Sequence, residues 1–84
     1  MNEYQLIEFT AQKKITTIHS LETNLYNVLA DFYKDNINAL FDDNTSQAKG
    51  FISIFLNSRQ LGSIEGVSLN HRDEIQIVTS IAGG

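Results

Sequence analysis

The chain has 84 residues, 42% of them hydrophobic, no cysteine and a formal net charge of −4. That length allows one domain and one core, the apolar content argues against disorder, and the lack of cysteine excludes disulfides, thiolate metal sites and a cysteine nucleophile. The acidic balance disfavours nucleic acid, because phosphate recognition needs clustered Lys and Arg and the six basic residues are scattered apart from Lys13-Lys14.

Tyr4–Phe9 is rich in strand formers, and Ile15–His19 is a second, β-branched run. The polar stretch Ala11-Gln12-Lys13-Lys14 between them suits a hairpin connection. The period then changes. Leu25, Val28, Leu29, Phe32 and Tyr33 fall at i, i+3, i+4, i+7 and i+8, one apolar face of a helix, with Thr23 or Asn24 as its cap. Lys34-Asp35-Asn36 is expected to end it, with Ile37, Leu40 and Phe41 adding a further turn before a polar loop over 42–50.

Phe51–Leu56 reads as a third strand, followed by a turn at Asn57-Ser58-Arg59-Gln60. Leu61–Leu69 is irregular, with a short strand expected around Val67–Leu69. The turn Asn70-His71-Arg72-Asp73 feeds the last strand, Glu74–Thr79. The order is β-β-α-β-(β)-β, a two-layer α+β domain in which one main helix covers one face of a small mixed sheet. Ile52, Ile54, Leu56, Ile75 and Ile77 are expected to face the helix, while Phe55 and Val78 face outwards as candidate members of an apolar interaction patch.

Nothing in the body looks catalytic. His19 and His71 lie far apart in sequence and have no metal-ligand spacing. Asp42-Asp43-Asn44 starts like a calcium loop but has Gln47 where the glycine is required and Ser53 where the closing glutamate belongs. Asp73 and Glu74 are neighbours on an extended segment, so their carboxylates point apart. No metal site is expected. No apolar run approaches the roughly 20 residues that cross a bilayer, and Met1-Asn2-Glu3-Tyr4 does not open a signal peptide, so the expected location is the cytoplasm, without a membrane partner.

The sequence closes on Ile81-Ala82-Gly83-Gly84, a segment thin enough to enter a narrow enzyme channel. With Phe9-Thr10-Ala11-Gln12, the helix residues Thr23, Leu25, Val28, Leu29 and Phe32, the run Ile54-Phe55-Leu56-Asn57 and the run Asp73-Glu74-Ile75, it resembles the sulfur carriers of the MoaD/ThiS family, and most closely the small subunit of molybdopterin synthase. His71-Arg72 stands where that family often has Asp-Gly, and Thr79-Ser80 where molybdopterin-type members often have Pro-Pro. The resemblance implies a β-grasp (ubiquitin-like) domain over 1–79 and a flexible tail over 80–84. It implies that Gly84 is adenylated and becomes a thiocarboxylate that donates sulfur in cofactor biosynthesis, with Ser80, Ile81, Ala82 and Gly83 carrying it into the partner's site.

The implied partners are an adenylating (E1-like) enzyme that uses ATP, a sulfur donor protein, and a large synthase subunit or other sulfur-accepting enzyme, with Phe55 and Val78 on the docking surface. The domain would act as a protein co-substrate and hold no cofactor of its own. A carrier for thiamin-thiazole or another pathway, and a ubiquitin-like modifier conjugated through Gly84, remain open beside it, as does a plain interaction module.

Overall fold

In the computed structural model, residues 1–41 and 49–79 are described; most of the expected loop, 42–48, and the expected tail, Ser80 to Gly84, lie outside them. Strands β1 (Asn2–Phe9) and β2 (Lys13–Ser20) form the opening hairpin, so Lys13 and Lys14 belong to the second strand and not to the turn. Helix α1 runs from Leu25 to Tyr33. Of the two candidate caps Asn24 serves: its Oδ1 accepts the Asn27 backbone N–H at 3.0 Å, pairing a donor that the first helical turn leaves free. A 3-10 turn, Lys34–Asn36, leads into the short helix α2, Ile37–Leu40.

Strand β3 is Ile52–Leu56; Phe51 stays outside it, 47% exposed. The segment read as a turn after β3 is half strand. Only Asn57-Ser58 turns, and Arg59–Leu61 pairs back as β4, with Leu56 opposite Arg59. Both turn residues have positive φ, 51° and 72°, the backbone that two-residue hairpins of right-handed twist require. The fourth strand therefore sits at Arg59–Leu61 instead of Val67–Leu69. That later segment instead brackets the helix entrance: Leu25 N–H donates to Val67 O at 2.9 Å and Leu69 N–H to Thr23 O at 2.6 Å, with one bridge between Asn24 and Ser68. Strand β5 is Glu74–Thr79.

The sheet order is β2-β1-β5-β3-β4, with β5 parallel to β1 and every other pair antiparallel. The last strand is thus the central one. Leu25, Val28 and Leu29 of α1 are buried in one core with Tyr4 and Leu6 of β1, Ile52 and Ile54 of β3, and Ile75 and Ile77 of β5; Leu56 packs against it partly buried. Ile37, Phe41, Ile64 and Leu69 extend the same core. Tyr4 is fully buried, and its hydroxyl donates to Glu22 O at 2.6 Å, so that buried oxygen is not stranded. Among the described residues no helix is long and apolar enough to cross a membrane.

Candidate functional site

Strand alternation decides which side chains meet on the sheet face away from α1. The core takes Tyr4, Leu6, Ile54, Ile75 and Ile77, so the residues between them point the other way. The pairing register sets them in two rows across the sheet. One runs Ile15, Ile7, Gln76, Phe55, Gln60; the next runs Lys13, Phe9, Val78, Ser53. Phe55 and Val78 are therefore diagonal neighbours on this face, as expected for a shared patch, and both are half-buried.

The patch is larger than those two residues. Ile7 is only 7% exposed yet stands apart from the core cluster under the helix; it lies on the open face with Ile15, Phe9 and Phe55 in its own or the adjoining row. Ile15 keeps 58% of its surface in water. The signal for these members was present in the alternation Gln5, Ile7, Phe9, but it becomes a patch only once β1 is known to lie beside β5.

The rows end where β5 ends. Phe9 is opposite Val78, and Thr79 is opposite Ile52, so β5 hands the chain on at Thr79 beside this apolar surface. Lys13 and Lys14 begin β2 at that end, and Lys49 lies three residues ahead of Ile52, its carbonyl accepting the Ile52 N–H at 2.8 Å. The Lys13 ammonium sits 5.8 Å from the centre of the Phe9 ring, within cation–π range. An acidic chain thus carries three of its six basic residues around the end of its central strand.

On the helix side of the same end, the Tyr33 hydroxyl donates to Glu8 Oε2 at 2.8 Å. Burial first, then the Glu8 hydrogen bond and charge, push the Tyr33 phenol well above its ordinary value of 10.0. This pair ties α1 to the end of β1.

The other end of the sheet is locked by polar contacts. Asn57 Nδ2 donates to Asp73 Oδ1 at 3.0 Å, Asn57 Oδ1 accepts the Glu74 N–H at 2.9 Å, and Asp73 Oδ2 accepts the Asn70 N–H at 2.8 Å. Both Asp73 oxygens are occupied, so this carboxylate positions a turn. The two histidines, distant in sequence, converge on Glu3: His19 is its cross-strand neighbour, and His71 Nδ1 accepts its N–H at 3.0 Å. Among the described residues no group of three or more His, Cys, Asp or Glu is placed to hold a metal ion. What this geometry offers is a partly exposed apolar face with the end of β5 beside it.

No family model matches the chain, and no curated protein matches it. Among solved structures it is similar to the solution structure of the Haloferax volcanii HVO 2177 protein, with 19% identity and a TM-score of 0.60, over 99% of this chain and 87% of that one. At that identity the likeness shows the fold alone.

Proposed function

We propose that this chain is a sulfur carrier of the MoaD/ThiS type with a β-grasp fold, most closely a molybdopterin-type carrier. The observation that carries the reading is the path of β5. It is the central strand, it runs parallel to β1, and it ends at Thr79 beside an apolar face, immediately ahead of the segment 80–84 that closes on Gly83-Gly84. One helix on a mixed five-strand sheet is compatible with the β-grasp fold.

In this reading an adenylating enzyme docks on the face around Phe55 and Val78, and segment 80–84 reaches into its site. A carboxylate oxygen of Gly84 attacks the α-phosphorus of ATP, and pyrophosphate leaves. The acyl-adenylate is then attacked at its carbonyl carbon by a persulfide of the sulfur donor, and AMP leaves. A thiol cleaves the resulting acyl disulfide, giving a thiocarboxylate and a new disulfide. The large synthase subunit, or another acceptor enzyme, takes the sulfur. The carrier contributes the reacting carboxylate, a narrow approach and a docking surface.

The test is the intact mass after incubation with the adenylating enzyme, ATP and a sulfur donor. Exchange of one oxygen for sulfur, mapped to Gly84, is expected, and removing Gly84 abolishes it. An unchanged mass, with the same enzyme active on another carrier, overturns the reading; a lysine conjugate points to a modifier.

A further inference from the structure

We propose that the outer edge of β2 is a self-association site, pairing antiparallel with β2 of a second copy to make one continuous ten-stranded sheet.

The direction of the free backbone groups follows from contacts inside the sheet. Gln5 N–H donates to Asp73 O at 3.0 Å, and Glu3 O accepts the Arg72 N–H at 2.7 Å, so the odd residues of β1 turn their backbone towards β5. Backbone groups alternate sides along a strand, so the even residues of β1 face β2. Their partners Lys14, Thr16, Ile18 and Ser20 face back. The outward groups of β2 are therefore those of Lys13, Ile15, Thr17 and His19.

Of the usual edge protections this strand keeps one, the charges of Lys13 and Lys14, and only at its beginning. It is eight residues long and runs in unbroken register with β1, without proline or bulge; short strands, prolines and bulges are what ordinarily blunt an edge. The other sheet edge, β4, is three residues long. Ile15-Thr16-Thr17-Ile18 is β-branched throughout, and Ile15 is 58% exposed at the seam.

A second copy fits this edge by symmetry. A two-fold axis perpendicular to the sheet, through Thr16, keeps both open faces on one side and uses all four outward residues. Ile15 then pairs with the other copy's Thr17 and Lys13 with its His19, while Thr16 meets itself, a favourable cross-strand pair. The two Ile15 side chains become diagonal neighbours and join the two apolar patches. No lysine opposes a lysine, because Lys13 and Lys14 fall at opposite ends of the seam. Strand β2 carries no carboxylate, so the negative charge of each copy is held off the contact. The ends of both β5 strands stay clear, so this pairing is independent of the sulfur-carrier reading.

Sedimentation equilibrium of the intact protein is expected to give twice the 9.4 kDa chain mass as concentration rises. Ile15→Lys, which adds a charge at the seam, and Thr17→Pro, which removes an outward N–H, each raise the dissociation constant about ten-fold or more; circular dichroism checks their fold. Amide exchange carries the sharper signature. Protection of Ile15, Thr17 and His19 rises with concentration, while Thr16 and Ile18 are protected throughout. A monomer at millimolar concentration overturns the proposal. So does a dimer that lacks this alternation, since face packing leaves the edge amides open.

Discussion

Asn57 and Asp73 are 16 residues apart in sequence and joined side chain to side chain at 3.0 Å, and the same Asn57 amide also accepts the Glu74 N–H. One residue thus performs two tasks: it turns the β3–β4 hairpin with φ of 51° and fastens that hairpin to the start of β5. Asparagine suits both, since it tolerates left-handed backbone and carries a donor and an acceptor on one group.

Substituting Asn57 separates the two tasks. Asn57→Gly keeps the backbone freedom and loses the latch, at a cost of about 1–2 kcal/mol in urea unfolding. Asn57→Ala loses the latch and strains the turn as well, at about 2–3 kcal/mol. Equal losses for the two variants would show that the turn conformation contributes nothing.

Ser58 and Arg72 have φ of 72° and 75° without being glycine. Both are exposed, and a β-carbon is disfavoured in that backbone region. Ser58→Gly and Arg72→Gly are each expected to stabilise the fold by about 0.5–1 kcal/mol, the relief of strain exceeding the added freedom of the unfolded chain. A fall in the unfolding midpoint for either would show that its side chain makes a compensating contact.

How much of this was legible in the sequence depended on distance along the chain. The helix was legible, because Leu25, Val28 and Leu29 lie within two turns and share one face. The strand faces were legible too: Ile52, Ile54, Ile75 and Ile77 are buried, with Phe55 and Val78 opposite them. β4 was not. Asn57-Ser58 lacks the glycine that marks a two-residue hairpin, and its left-handed Ser58 is supported by the strands it connects. Nor was the patch complete, since Ile7, Phe9 and Ile15 join Phe55 only through the β1–β5 pairing, a long-range choice that no local pattern encodes.

Tyr33 gives a prediction in alkali. Its phenol is held above the ordinary value, so the unfolded chain releases that proton first. Stability from the Tyr33–Glu8 bond is whole below about pH 10 and declines as pH rises further, towards the raised folded value. Tyr33→Phe is expected to cost about 1–2 kcal/mol at neutral pH and to flatten the alkaline decline. Urea midpoints measured from neutral to strongly alkaline pH check both effects, and an unchanged slope in the variant would assign the decline to another group.

Phe55 tests the proposed docking face apart from the core beneath it. Ile54 and Leu56 flank it in sequence and point to the helix side, whereas Phe55 lies on the open face in the row of Ile7 and Ile15. Burying apolar side chains of this size contributes roughly 1.5–3 kcal/mol each, so under the sulfur-carrier proposal Phe55→Asp is expected to weaken binding to an adenylating enzyme about 10- to 100-fold. Val78→Asp, its diagonal neighbour, should act in the same direction, while Asp31→Asn on the exposed side of α1 should leave affinity unchanged. Titration calorimetry measures the affinities, and amide spectra of each variant establish that the sheet is intact. If both sheet variants bind as the unaltered protein does, the open face is not the docking surface that the proposal requires.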